Sequence, residues 1–335
     1  MKTIKICPSK QRSLFAYLSV ILLISSAIIL SLQSMIYFSH EDNFQAKGGT
    51  APHVTPMSLS ITEQRHSLVT SLTGVRTSLL EPCKKEVVPN IVHYVWFGEY
   101  ETLRFHHMLS ILSAHKFIRP ERILIHCDFA PVGQWWKYIR SKVPNIEIVK
   151  REPPTEIFGN QVILQEHKSD IVRMQVLMEH GGIYLDTDVI ALKSFNGLRK
   201  YNFTMGIEYH GEPGRLNNGV IIAEKSAEFL RLWYDTYRNF TKREWDYHDS
   251  IIPYSLQFQY PQLIHVEENT INYPSGKKLE LIYETRYDWR QNYAMHLWYR
   301  LHEIDHNPRD IRAMNTTFGE IARFVYYGNS SLLTS

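Results

Sequence analysis

Gly181-Gly182-Ile183-Tyr184-Leu185-Asp186-Thr187-Asp188-Val189-Ile190 is the stretch whose reading decides the fold. An apolar strand is entered through two glycines and closed by two carboxylates one residue apart. Before it, His167–His180 (HKSDIVRMQVLMEH) has helical spacing, and Gly181-Gly182 stops that helix as a C-terminal cap. Acids at the carboxyl end of a strand lie where open α/β sheets bind ligands. In extended backbone Tyr184, Asp186 and Asp188 project to one face. Paired carboxylates there form a hard oxygen site for Mg²⁺ or Mn²⁺, which in turn holds a diphosphate. The spacing alone is weak, because Glu244-Trp-Asp246 and Glu303-Ile-Asp305 share it. Its context strengthens it: Asp170 and Arg173 lie three apart on the preceding helix and share a face. The plainer reading of those two is an exposed ion pair worth little.

Outward from this segment the texture is that of a mixed α/β domain. Ile91–Phe97, Ile123–Cys127 and Ile146–Val149 read as strands, and Thr102–Phe117 and Gln134–Lys142 as helices. Their alternation predicts βαβ units and a largely parallel sheet. Asn217-Asn218-Gly219 precedes an apolar VIIA run, and Asn-Gly is also an ordinary turn signal. A helical pattern covers Ala227–Phe240, while the final third is harder to parse.

The 335 residues carry 37 basic and 34 acidic side chains, a net +3 that gives no electrostatic case for nucleic acid. The run Leu14–Leu32 has no charge and is long enough to span a bilayer. Lys2, Lys5, Lys10 and Arg12 precede it, which places the N-terminus in the cytosol and the rest in a lumen. A cleaved signal peptide is disfavoured by the length of the run and the lack of a clear cleavage site. The expected layout is a cytosolic tail (1–13), a transmembrane signal anchor (14–36), a luminal stem (37–88) and a catalytic domain (89–335). Sequons at Asn202, Asn239, Asn315 and Asn329 all follow the anchor. Cys83 and Cys127 are the luminal cysteines, and the compartment allows a disulfide between them.

Taken together, His167-Lys168-Ser169-Asp170-x-x-Arg173 and Gly181-Gly182-x-Tyr184-x-Asp186-x-Asp188 resemble the DXD-motif sugar transferases of glycosyltransferase family 32. That family includes animal α-1,4-galactosyl- and α-1,4-N-acetylglucosaminyltransferases and fungal α-mannosyltransferases. Pro89–Gly98, Asn217-Asn218-Gly219 and His296-Leu-Trp298 add to the likeness. The resemblance implies a GT-A-type, Rossmann-like nucleotide-sugar domain with a mostly parallel sheet after a transmembrane helix, and a retaining transfer. It implies that Asp188 ligates Mn²⁺ or Mg²⁺ and that Asp186 contacts the donor ribose and the metal. Asp170 and Arg173 would hold the sugar and phosphates, Tyr184 would border the ribose, and Trp96 would lie near the base. Asn218 would approach the reacting sugar and phosphate. His296 would be a third metal ligand, with Trp298 closing over the diphosphate. The implied donor is a nucleotide sugar, a UDP-hexose by analogy, and the acceptor a glycan, glycolipid or glycoprotein. Golgi residence and a homodimer follow from the same layout. In place of the family's Gly-Pro-x-x-x-Thr element stands Tyr247-His248-Asp249-Ser250-Ile-Ile-Pro253, which reads as surface polar residues or an acceptor-side element.

Other classes have weaker support. His302-Glu303-Ile304-Asp305-His306 matches the zinc-peptidase pattern HExxH, but Asn307-Pro308 follows at once and disfavours the helix that pattern needs. An Asp-x-Asp phosphatase would want a downstream Gly-Asp pair, which the sequence lacks. A catalytically inactive, lectin-like or chaperone relative need not keep Asp170, Arg173, Asp186 and Asp188 together.

Overall fold

The computed structural model describes residues 85–241 and 245–333. The expected tail, the anchor at 14–36, most of the stem and Cys83 lie outside the described residues. Among those described, no helix is long and apolar enough to cross a membrane. The chain divides into two units, Met1–Lys85 and Glu86–Ser335, and the strands and helices below all belong to the second.

Among the described residues there are eleven strands: β1 (Ile91–Trp96), β2 (Arg122–Cys127), β3 (Ile146–Lys150), β4 (Glu156–Ile157), β5 (Asn160–Gln161), β6 (Gly182–Leu185), β7 (Val189–Ala191), β8 (Phe203–Tyr209), β9 (Arg215–Ala223), β10 (His265–Glu267) and β11 (Ala294–His296). Seven form one sheet, in the order β10-β8-β9-β6-β1-β2-β3. The β6-β1-β2-β3 half is parallel throughout, as βαβ crossovers require, whereas β9 runs antiparallel to both β6 and β8. This is a mixed α/β fold with a mostly parallel central sheet.

Both faces of the sheet are covered, which is why its central strands read as unbroken apolar runs. Along β1, Val92, Tyr94 and Trp96 enter one core and Val95 the other. The first core also takes residues of α1 (Phe105–Ser113) and of the last helix, Thr317–Tyr327. The second takes those of α2 (Gln165–His180) and α3 (Glu228–Asp235).

Three local expectations are corrected. The helix expected over Thr102–Phe117 is α1 plus a wider π-turn over Ala114–Ile118, closed by Arg119 in a left-handed conformation just before Pro120. The pattern at Ala227–Phe240 holds an α-helix only to Asp235, followed by a 3₁₀ turn. Asn217-Asn218-Gly219 is not a turn: it lies within β9, because its strand neighbours supply the pairing that a local turn would otherwise provide.

The glycine pair behaves as its chemistry demands. The Gly181 amide donates to the Leu177 carbonyl at 2.8 Å, capping α2. Both glycines have positive φ, 67° and 120°. A Cβ on Gly182 would lie 2.6 Å from the Ile91 carbonyl of β1. Helix α2 can therefore turn straight into the centre of the sheet only without side chains at this corner.

Candidate active site

Strand β6 ends at Leu185, so the expectation that Asp186 and Asp188 follow one extended strand face is corrected by a turn. The Asp186 amide donates to the Gly219 carbonyl at 2.8 Å, and the Val189 amide returns to the Asp186 carbonyl at 3.0 Å. That turn lets β7 leave in a new direction and pair antiparallel with β11, placing His296 opposite Val189. The Leu297 amide locks the junction by donating to the Asp188 carbonyl at 2.9 Å. Two residues close in sequence thus meet one that lies more than a hundred positions away.

Asp186, Asp188 and His296 each offer a ligand atom, all within 4.8 Å of one another. His296 Nε2 is 3.1 Å from Asp188 Oδ1, and the Tyr299 amide donates to Asp188 Oδ2 at 2.9 Å. Although burial opposes its charge, His296 and that amide hold the Asp188 carboxyl well below the usual range. Burial likewise disfavours a charged His296, but Asp188 outweighs it and raises the imidazole pKa. The floor is Gly219, where a Cβ would stand 2.9 Å from Asp186 Oδ2 and 3.0 Å from His296 Cε1. Two carboxylates, one imidazole and a floor kept clear of any side chain suit Mn²⁺ or Mg²⁺.

Beside this trio lies a buried cation. Arg173 Nη2 is 3.2 Å from both Asp170 Oδ1 and Asp186 Oδ1, and Nη1 donates to the Asn218 carbonyl at 2.9 Å. Its guanidinium carbon sits 4.5 Å from the centre of the Tyr184 ring, and the Tyr184 hydroxyl donates to Asp186 Oδ1 at 2.6 Å. Burial works against this charge, yet Asp186, Tyr184 and Asp170 raise the Arg173 pKa further. Burial raises the Asp170 carboxyl, with Arg173 opposing. Asn218 Nδ2 donates to Asp170 Oδ1 at 2.8 Å. The exposed-pair reading of Asp170 and Arg173 is therefore wrong: both side chains are more than nine-tenths buried.

A cavity of about 480 Å³ opens over these groups, lined among others by Asp170, Arg173, Tyr184, Asp186, Asp188, Asn218, His296 and Trp298. Trp298 stacks on His296 with ring centres 4.1 Å apart. Trp96 lies elsewhere. It faces the first core, edge-on to His107 at 5.0 Å, and is not among the lining residues. Strand alternation explains this, since Val95 is the β1 residue that reaches the cavity.

Glu208, Lys277 and Arg300 also line the cavity and carried no local signal in the sequence, and Asp249, read there as a surface polar residue or part of an acceptor-side element, lines it too. Glu208 lies at the end of β8, where its Oε2 accepts from Asn217 Nδ2 at 3.0 Å. Lys277 stands 3.3 Å above the Tyr209 ring. The reading of His248 as a surface residue is corrected, since it is buried at 5% exposure. The HExxH reading fails too. The helix carrying it spans only Tyr299–His302, and Glu303 is left-handed with φ of 53°. His302 instead stacks on Tyr283, with ring centres 3.5 Å apart.

Comparison with known proteins gives the arrangement a family. Residues 88–204 match the family described as the glycosyltransferase sugar-binding region containing the DXD motif, and 154–306 match a capsular polysaccharide synthesis family. Glucan organizing enzyme 1 of Cryptococcus neoformans var. grubii is 30% identical over 268 residues, 73% of this chain and 72% of that protein. Glycosyltransferase afumC of Aspergillus fumigatus is 24% identical over 110 residues, 28% of this chain and 27% of that one. Among solved structures, the PaToxG glycosyltransferase is 20% identical, with a TM-score of 0.41 over 59% of this chain and 78% of its own. The galactosyltransferase LgtC, solved with donor and acceptor sugar analogues, is 13% identical, with a TM-score of 0.37 over 72% and 96%. Identity of 30% across 73% of the chain, with the DXD segment inside the matched family region, makes this protein a member of the DXD-motif glycosyltransferases and a glycosyltransferase enzyme.

Proposed function

We propose that the enzyme is a divalent-metal-dependent, retaining hexosyltransferase of GT-A type, taking its sugar from a UDP-hexose. The acceptor is a glycan, glycolipid or glycoprotein. On this reading residues 14–36 anchor the protein in the Golgi membrane with its catalytic domain in the lumen, where a homodimer can form. The observation that carries the catalytic part is the convergence of Asp186, Asp188 and His296 beside the buried Arg173.

Breaking a sugar–phosphate bond leaves negative charge on the departing diphosphate, and groups that stabilise this charge as it develops lower the barrier. Asp186, Asp188 and His296 would hold a divalent ion, which would act as a Lewis acid toward that charge. Arg173 adds a fixed positive charge, which Asp170, Asp186 and the Asn218 carbonyl hold in one orientation. Tyr184 donates to Asp186, so its hydroxyl fixes one carboxylate rotamer instead of meeting water. Trp298, half-buried and stacked on His296, is positioned to cover the diphosphate and keep solvent out.

The full chain with Mn²⁺ and a panel of nucleotide sugars tests this reading, followed by release of free nucleoside diphosphate. One donor should be cleaved, its product should keep the α-anomer by NMR, and Asp188→Ala should abolish turnover. Silence across the panel, with no Mn²⁺-dependent nucleotide binding, would instead favour the inactive, lectin-like alternative.

A further inference from the structure

One carboxylate in the cavity has no part in the roles above. Asp249 sits in the π-turn Tyr247–Ile251 and lines the cavity with Asp170, Arg173 and Asn218. Its neighbours fix the turn. His248 and Ser250 are buried, the His248 carbonyl accepts from Trp233 Nε1 at 2.7 Å, and His248 Nε2 accepts from the Thr241 amide at 3.1 Å. Beyond its own backbone amide, the Asp249 carboxyl has a long 3.5 Å approach to Oδ2 from Asn218 Nδ2, which is already engaged by Asp170 at 2.8 Å. The other oxygen, Oδ1, is buried without a hydrogen-bond partner. The nearby cation does not help, because Arg173 is committed to Asp170, Asp186 and the Asn218 carbonyl.

A buried carboxylate left short of donors is destabilising, and that penalty is relieved only when a ligand brings them. Sugar hydroxyls are such donors. Burial, and after it the neighbouring Asp170, raise the Asp249 carboxyl well above its ordinary range. A neutral polyol brings hydroxyl donors to such a wall, whereas a ligand carboxylate brings another acceptor and no donor.

We infer that Asp249 accepts a hydroxyl of the transferred sugar, so that the site takes neutral hexoses and rejects hexuronates. This rests on the reading of the cavity as a donor-sugar site. Asp249→Asn keeps the shape, but replaces the carboxyl with an amide.

The test compares the full wild-type chain and Asp249→Asn in two measurements. The first is calorimetric binding of UDP with Mn²⁺. The second is kcat/KM for UDP-glucose, UDP-galactose, their singly deoxygenated analogues and UDP-glucuronate. UDP should bind both proteins equally, while kcat/KM for the preferred neutral donor falls by about 10- to 100-fold in the variant. One deoxy analogue should be poor for wild type but suffer no further loss in the variant, and the gap between neutral donor and glucuronate should narrow. A variant that matches wild type on every donor, or loses equally on every deoxy analogue, overturns the inference. So does a variant that loses UDP binding, because a sugar contact leaves the nucleotide untouched. If wild type itself binds no UDP with Mn²⁺, the proposed function falls and this inference with it.

Discussion

Gly219 shows how much one residue can decide by lacking a side chain. Its amide donates to Asn217 Oδ1 at 2.9 Å, and its carbonyl accepts from the Asp186 amide at 2.8 Å, so it is held from both sides. A methyl group here would intrude on Asp186 and His296 more closely than packed side chains normally approach. Gly219→Ala should therefore weaken Mn²⁺ binding by at least about tenfold while the protein stays folded, as titration calorimetry and circular dichroism would show. Unchanged metal affinity would mean that the ion does not sit between these three side chains. In the sequence, Asn217-Asn218-Gly219 is visible as a motif, but its place beside Asp186 is not. That placement comes from β9 pairing with β6, a contact between segments some 35 residues apart.

The corner joining α2 to β6 is the element on which the site depends. Helix α2 supplies Asp170 and Arg173 from one face, and the strand delivers Asp186 immediately past its end. Their spacing is set by a two-residue turn that must pass close to β1. In Gly182→Ala the added Cβ meets the Ile91 carbonyl and the His93 ring on a backbone with φ of 120°. The cost should be about 2–4 kcal/mol of stability, read as a lowered urea midpoint with unchanged slope. A loss below about 0.5 kcal/mol would show that the corner can relax. This element was the most legible part of the sequence, because helix period, glycine cap and apolar strand agree locally. The segment from Ala294 to Leu301 was among the least legible. It is a three-residue strand and a single helical turn, and it takes its form from β7 and Asp188 rather than from its own propensities.

At the scale of the whole molecule, the parallel sheet buries two titratable rings. His93 of β1 and His126 of β2 are fully buried, with Nδ1 of the first 3.0 Å from Nε2 of the second. Burial lowers the His93 pKa from 6.5 to about 4, partly offset by the Gly181 carbonyl, and lowers that of His126 to about 3. Between pH 6.5 and about 4 the unfolded chain binds protons that the folded one refuses, so stability falls as the pH drops through this window and is fully present above it. A drop from 6.5 to about 4 corresponds to about 3 kcal/mol for His93 alone. Urea midpoints should decline steadily from about pH 7 to about pH 4.5, and His93→Gln should decline less steeply. Identical slopes in the two proteins would place the acid sensitivity elsewhere.

The sequence alone determined the mixed α/β class, the strands β1, β2 and β3, and β6, which leads into the DXD segment. It also marked out Asp170, Arg173, Asp186 and Asp188 as one constellation. These are properties of local periodicity and short spacing, which a chain carries wherever its neighbours lie. Only the tertiary structure decided that Asp170 and Arg173 are buried partners rather than a surface pair, that Trp96 faces the core, and that Asp249 and Glu208 line the same cavity as the DXD carboxylates. Each of those depends on which face of an element meets which neighbour, and on contacts such as His296 with Asp188 that join residues more than a hundred positions apart. Local sequence fixes the direction of a side chain relative to its own backbone; what it meets there is set by strand order and packing.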